Sequence, residues 1–454
     1  MRHTVRLSLL ASVMVLSASA ADDLAGMFKE GKASGQIRAF YIDRDYSGYS
    51  DATSVHRNAT AIGGYLKYET GAWNGLNLGA AFYTSNGLFL KSKKVGTADN
   101  TEVDPTLFGK DNESLTYLGE AYLQYKNGNT TFKGGRQKLD TPMAGSDDAR
   151  MLPNLFEAYV VSNTDIKDTT LIAAHVTKFA QGTFGRAYNG GVLSVTSGYS
   201  LVDSKTHVGE FVDMGTYAIG ENTGGVSVAA AIYSGIPGLK LQLWDYYAQD
   251  ILNAVYAEAN YGWSYASGVA PYVGVQWINE RDIGSNGVAN STNKLANIDS
   301  DFIGAKVGVK VANFDLSVAA SHNTKNSDAA INGGTISPWG GMPAYTQGMV
   351  TRHQFMAGTD TWKAAASYDW KDYGVNLNTG VFYVQFEMDP LNGYSDAAAS
   401  EKASEAGFDI IYNPQAIKNL QLRLRGNFPR GYQEKATTDD MGWDEYRVIA
   451  NYNF

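Results

Sequence analysis

Apolar and polar residues alternate with a period of two in many short stretches of this chain. In residues 446–454, Tyr446, Val448, Ala450, Tyr452 and Phe454 alternate with Arg447, Ile449, Asn451 and Asn453, polar but for Ile449. Leu420, Leu422 and Leu424 alternate with Gln421, Arg423 and Arg425, and Val307, Val309 and Val311 with Lys306, Gly308 and Lys310. Phe314, Leu316, Val318 and Ala320 alternate with Asp315, Ser317, Ala319 and Ser321. Successive side chains of a strand point to opposite faces, so each stretch predicts a strand with one greasy and one wet face.

Applied along all 454 residues, this reading predicts eighteen strands. They fall at 36–42, 59–69, 76–85, 114–126, 130–137, 156–162, 169–178, 224–233, 239–246, 251–260, 270–278, 301–311, 314–323, 361–369, 375–386, 405–412, 420–427 and 443–454. Short and long connections alternate between them, and only the short link 247–250 stands where a long one is due. Residues 209–219 could form a further strand, but that would put every later long connection on the wrong side, so they belong to the fourth long loop. The expected architecture is an all-β, antiparallel transmembrane barrel with tight periplasmic turns, long external loops and both termini periplasmic. A terminal aromatic closing an alternating strand is the mark of bacterial outer-membrane barrels. At eighteen strands the barrel is expected to enclose an aqueous channel and no packed core.

Composition agrees with this. There are 49 Gly, 29 Tyr and 8 Trp, hydrophobic residues make up 44%, and no Cys is present, which excludes disulfides and cysteine-based metal sites. Residues 1–20 read as a signal peptide: Arg2 and Arg6, the apolar stretch Leu7–Leu16, then Ala18-Ser19-Ala20. Residues 21–454 then make the exported barrel. Removing Arg2 and Arg6 leaves 35 basic residues against 46 acidic ones, a net charge of −11. No other segment approaches the eighteen consecutive apolar residues of a spanning helix, so a membrane life requires the barrel.

Strand parity directs Arg38, Arg423, Arg425 and Arg447 to the lumen on three adjacent strands, a basic stripe down one wall. Lys133 or Arg136, together with Lys306, Lys310 and Lys363, adds positive charge elsewhere; the opposite parity of Lys133 and Arg136 lets only one face inward. The third external loop, 138–155, carries two prolines and Gly145 but also Met143, Met151 and Leu152, too apolar for a freely solvated loop. It is expected to fold into the lumen as a constriction, with Asp140, Asp147 and Asp148 facing the basic wall. Opposed charges of this kind select ions and orient solutes. The same charges could equally be wet wall residues, and Asp147 could simply pair with Arg150.

Enzyme chemistry finds no footing. The six histidines show no close metal-ligand pair, and no nucleophile elbow, HExxH or phosphate loop stands out. The acid clusters 43–45 and 299–301 could attract a structural calcium, but neither has EF-hand spacing. No cofactor and no nucleic-acid partner are expected. The expected partners are the lipid bilayer, lipopolysaccharide, ions and small hydrophilic solutes. An adhesin, with loops 86–113, 179–223 and 324–360 as binding faces, is the alternative of another class.

The residues also resemble a known family. Gln36-Ile-Arg-Ala-Phe-Tyr-Ile-Asp-Arg-Asp45 resembles the first strand of the OprD-type porins. Gly135-Arg-Gln137, Pro142, Asp148-Ala-Arg-Met-Leu-Pro153 and Phe156-Glu157 resemble that family's fifth strand, inward loop and sixth strand, and the terminal strand with Glu445 and Tyr452 fits too. Gly341-Met-Pro-Ala-Tyr345, Thr351-Arg-His353 and Trp362-Lys363 are similar to the major porins of epsilonproteobacteria. The resemblance implies an eighteen-stranded porin with a loop-3 constriction and a ladder of lumenal arginines including Arg38, Arg136, Arg423 and Arg425. OprD-type members favour carboxylate-bearing solutes. The epsilonproteobacterial porins are general, often cation-preferring trimeric channels, which would make this chain part of a homotrimer.

Overall fold

The computed structural model describes residues 21–47, 55–88, 101–188, 191–201, 207–284, 297–392, 402–435 and 438–454. The expected signal peptide at 1–20 lies outside them. Eighteen strands form the wall: β1 (Lys32–Ser47), β2 (Val55–Glu69), β3 (Leu76–Asn86), β4 (Leu115–Asn127), β5 (Thr130–Gln137) and β6 (Leu155–Asn163). They continue as β7 (Thr169–Ala180), β8 (Val226–Tyr233), β9 (Leu239–Ala248), β10 (Leu252–Gly262), β11 (Ala270–Asp282) and β12 (Asp299–Val311). The last six are β13 (Phe314–Asn323), β14 (Asp360–Asp369), β15 (Leu377–Glu387), β16 (Lys402–Tyr412), β17 (Leu420–Arg430) and β18 (Thr438–Asn453).

Each strand pairs antiparallel with the next, and β1 pairs with β18 from Gln36↔Asn453 to Ser47↔Gly442, which closes the barrel. Closure satisfies every strand edge, the condition for backbone in lipid. The outward set is apolar and exposed, as in Ile37, Leu66, Phe82, Val275, Ile303, Val318, Val381 and Val448. Among the described residues no helix is long and apolar enough to cross a membrane.

All eighteen predicted strands are present. The 209–219 segment forms the two-residue strand Val212–Asp213 and the helix Met214–Ile219, inside the fourth loop as expected. The anomalous short link is real: β9 and β10 are joined by residues 249–251, with Asp250 at φ 58°. At the β2–β3 periplasmic turn Asn74 and Gly75 both have positive φ (49° and 82°), the conformation for which an Asn-Gly pair is favoured in a two-residue hairpin.

One expectation fails. The lumen is not simply aqueous, because long loops fold into it and pack against the wall. The third loop, L3 (138–154), and the seventh, L7 (324–359), meet through Gly145 N to Trp339 O (3.3 Å), Met342 N to Pro142 O (2.6 Å) and Ser337 Oγ to Met143 O (2.7 Å). The fourth loop joins them, Trp339 Nε1 donating to Met214 O at 3.0 Å. Met143, Met214, Trp339, Met342 and Phe355 bury themselves against inward Phe156, Phe179, Trp244, Tyr246, Ile278 and Phe302 of β6–β12. The physical reason lies in those wall residues. An inward face this apolar cannot stay wetted at about 25 cal/mol per Å² of exposed apolar surface. The remaining wall is packed too: Leu107, Phe108, Met151 and Leu152 lie against Phe40, Ile42 and Tyr83 of β1–β3, and Met356 against Val384, Phe386 and Ala403 of β15 and β16.

Candidate functional site

Closure of the barrel aligns the charged side chains of β1, β18, β17 and β16 in rows. Arg44 faces Glu445, Arg447 faces Arg425, which in turn faces Asp409, and Arg38 faces Asn451. L3 lies directly on this wall, not opposite it. Arg38 Nη1 reaches Asp148 Oδ1 at 2.7 Å, and Arg38 Nε donates to Asn451 Oδ1 at 2.9 Å. Lys138 Nζ lies 3.8 Å from the other Asp148 oxygen. Burial works against the Asp148 carboxylate, but Arg38 and then Lys138 outweigh it and hold its carboxyl below the ordinary carboxylate range.

Above this contact is a closed ion cluster. Glu445 is approached by Arg44 Nε (2.7 Å), Arg447 Nε (2.9 Å) and Arg150 Nη2 (3.0 Å), while Arg44 Nη1 also faces Asp104 Oδ2 at 3.3 Å. Arg447 Nη2 donates to Asn427 Oδ1 at 2.5 Å, and Arg150 Nε to Thr106 Oγ1 at 3.2 Å. Arg150 and Arg447 are fully buried, so the cluster fastens L3 and the second loop to the wall without meeting solvent.

Arg423 and Arg425 differ. Their side chains stay 28% and 18% accessible, on the lumen side of β17. Arg423 Nε donates to Asp409 Oδ1 at 2.8 Å, its Nη2 pairs with Asp409 Oδ2, and Arg425 Nε lies 3.5 Å from that second oxygen. A cavity of about 310 Å³ lies between L3 and the periplasmic turns. Arg38, Tyr65, Lys67, Tyr83, Glu120, Lys133 and Asp148 are among its lining residues. Lys67 Nζ pairs with Glu120 at 3.3 Å, and Lys133 Nζ stands 3.7 Å from the centre of the Tyr122 ring.

Several expected site residues are placed elsewhere. Arg136 does not join the ladder. On β4 the lipid-facing Leu123 and Tyr125 register against Gly134 and Phe132, so Arg136 shares the outward parity and Lys133 points inward. Arg136 pairs with Glu157 at 3.7 Å and covers the Phe211 ring. Asp140 lines the cavity beside L3 with Arg38 and Lys133, and it accepts from Ser146 N (3.1 Å) and Ser146 Oγ, which ties the L3 turn. Asp147 pairs neither with the stripe nor with Arg150 but with Arg352 of L7, at 2.8 Å. Lys306 and Lys310 lie on the lumen parity of β12, across the barrel. Lys306 Nζ stands 4.4 Å from the Tyr345 ring centre, and Lys310 pairs with Asp315 at 3.5 Å. Lys363 donates to Gln347 O at 2.6 Å.

Sequence reasoning missed Arg44, Asp104, Arg352 and Asp409. Parity alone places Asp409 inward, between outward Phe408 and Ile410, and Arg44 continues the Arg38 parity past the predicted end of its strand. Protein groups approach both acid clusters. Asp43 receives Tyr41 Oη (2.8 Å) and His56 Nε2 (3.0 Å), and Asp299 and Asp301 are paired with Arg281 at 2.9 and 2.7 Å.

A closed eighteen-strand barrel with an apolar outer belt and charged, loop-narrowed lumen is an outer-membrane channel of the porin class. Residues 25–454 match the OprD family of outer membrane porins, and the chain belongs to that family. No curated protein matches it in sequence. Among solved structures it is similar to OpdK of Pseudomonas aeruginosa with vanillate, at 16% identity and TM-score 0.72, covering 94% of this chain and 99% of that one. It is similar also to OccK9 (OpdG) of that organism, at 19% identity, TM-score 0.72 and the same coverage. OccK2 (OpdF) of Pseudomonas aeruginosa in complex with glucuronate gives 16% identity, TM-score 0.69 and again 94% and 99%. The protein is thus an outer-membrane porin, a channel for small hydrophilic solutes and not an enzyme.

Proposed function

We propose that this porin favours small carboxylate-bearing solutes, carried past Arg423 and Arg425 between the L3 constriction and the β16–β17 wall. The observation that carries this reading is the accessibility of the stripe. Arg44, Arg150 and Arg447 are spent on Glu445 and closed to solvent, whereas Arg423 and Arg425 stay open to the lumen. Guanidinium forks match carboxylates in two-point geometry. Six guanidiniums (Arg38, Arg44, Arg150, Arg423, Arg425, Arg447) meet five carboxylates (Asp104, Asp148, Glu405, Asp409, Glu445) along this wall, so it carries excess positive charge despite the acidic chain. The loops packed into the lumen argue for a narrow, selective path over a wide general pore. Two similar structures hold carboxylate-bearing molecules, vanillate and glucuronate.

Cleavage after Ala20 belongs to this reading, as does lipopolysaccharide around the outward rim charges Arg136, Glu157 and Lys178. A homotrimer enters it only as an assembly of complete pores, since every residue invoked lies within one barrel. The test is planar-bilayer recording of the refolded protein in a KCl gradient and with added potassium glucuronate. Wild type should pass or be blocked by glucuronate, and Arg423→Ala/Arg425→Ala should shift toward cations and lose the glucuronate response. A double variant with unchanged reversal potential and unchanged response would reduce both arginines to wall residues.

A further inference from the structure

Of the two arginine forks offered to a solute, that of Arg423 is already occupied and that of Arg425 faces the same carboxylate. Asp409 stands on β16 directly opposite Arg425, and Arg423 reaches up from the next lumenal position of β17 to hold it at two points. Arg425 Nε lies 3.5 Å from the same carboxylate, buried and without a hydrogen bond. On its other side Arg425 registers against Arg447, a like charge. Asp409 therefore does two things: it offsets repulsion along the row, and it fills the geometry that an arriving carboxylate would need. Its side chain is 24% accessible, open to the lumen and so within reach of exchange with a solute.

From this juxtaposition we propose that Asp409 is the specificity-determining residue of the channel, an internal carboxylate that competes with the solute for the Arg423 and Arg425 forks. The inference rests on the carboxylate reading above and deepens it. A solute carboxylate enters by displacing Asp409 from one fork, and Asp409 returns as the solute moves on. No bond is made or broken; one charge-assisted contact is exchanged for another. Conduction requires binding strong enough to enter and weak enough to leave, and an exchanging internal carboxylate supplies the second condition.

The test compares wild type, Asp409→Asn and Asp409→Glu with Asp315→Asn, which removes a lumenal carboxylate paired with a lysine across the barrel. Each variant is first shown to be a folded barrel by heat-modifiable gel mobility. Asp409→Asn is expected to move the reversal potential in a KCl gradient toward chloride, further than Asp315→Asn does. It is also expected to lower the glucuronate concentration for half-maximal block by about tenfold, the equivalent of one charge-assisted contact. Asp409→Glu should stay near wild type. Equal shifts for Asp409→Asn and Asp315→Asn would overturn the proposal. So would unchanged block in Asp409→Asn while Arg423→Ala/Arg425→Ala abolishes it, an outcome that leaves the carboxylate reading standing. A wild type indifferent to glucuronate, with equal shifts in KCl for the two Asn variants, would sink both.

Discussion

Asp147 of L3 and Arg352 of L7, 205 positions apart, form an ion pair of 2.8 Å inside the barrel. Tyr199 Oη donates to the same Asp147 oxygen at 2.5 Å, and Arg352 Nη1 donates to Ser197 O at 2.6 Å. Burial opposes the Arg352 charge, but Asp147, Tyr188 and Tyr199 outweigh it and hold the guanidinium above its ordinary pKa. Three loops meet at one buried charge pair.

Removing one member of such a pair leaves the other charge buried and alone, at a cost of about 3–5 kcal/mol. Asp147→Asn is therefore expected to lower the urea midpoint of the barrel and to give noisier, larger single-channel currents as L3 and L7 separate. Asp147→Asn/Arg352→Met, which leaves no orphan charge, should recover most of the midpoint. Equal losses in the single and double variants would show that the pair does not latch the loops.

Gly341 tests the same junction through the backbone. Its φ is +80°, and a Cβ there would stand 2.3 Å from Pro142 O. Neither the strain nor the clash can be relieved without moving L3 away from L7. Gly341→Ala is expected to raise conductance and to cost about 1–3 kcal/mol of stability. Channel currents and urea midpoints indistinguishable from wild type would mean that the two backbones do not meet as described.

The barrel was legible because lipid enforces it. Every outward position in the bilayer must be apolar, and that constraint writes a period of two into all eighteen strands. Where strands leave the bilayer the constraint lapses: β1 runs on to Ser47 through outward Asp43 and Asp45, and the alternation ended the prediction at 42. Met143, Met151 and Leu152 mark L3 as an inward loop, but the same apolar signal in L7, from Trp339, Met342 and Phe355, has nothing periodic beside it. The family motif points Arg136 inward, whereas its parity, fixed at Gly134-Gly135 only by the register of the neighbouring strand, points it outward. Charge pairing was the least legible layer. Asp148 and Asp147 are adjacent in sequence, yet one binds the wall and the other a loop 205 residues on.

His353 gives the fold a pH dependence. It is buried between the rings of Phe386 and Tyr432, with Nε2 2.9 Å from Tyr432 O. Burial lowers its pKa to about 4, against a weaker opposing effect of the Tyr432 carbonyl. The unfolded chain, titrating near 6.5, then binds a proton that the folded chain refuses between about pH 6.5 and 4. Stability from this group is full above 6.5 and falls as pH drops toward 4. About 2 kcal/mol should be lost between pH 7 and 5 at 1.36 kcal/mol per unit. His353→Gln should flatten that slope in urea titrations at the two pH values; a slope retained in the variant would assign it to other groups.

The closed cluster around Glu445 makes a prediction that depends on counting its charges. Arg44, Arg150 and Arg447 are set against Glu445 and Asp104, all nearly or fully buried, so the cluster holds one cation too many. Burial, followed by the opposing pull of Glu445, leaves the Arg150 pKa below its ordinary value. Arg150→Met keeps the length and apolar stem of the side chain and leaves two guanidiniums on two carboxylates. It is expected to change stability by less than about 1 kcal/mol, because removing the surplus cation leaves no buried charge without a partner of opposite sign. Glu445→Gln leaves three guanidiniums on Asp104 alone and should cost at least the ~3–5 kcal/mol of an orphaned buried charge. Urea unfolding of both variants in the same detergent separates the two. A severe loss in Arg150→Met with a mild one in Glu445→Gln would reverse the argument and make Arg150 the centre that L3 depends on.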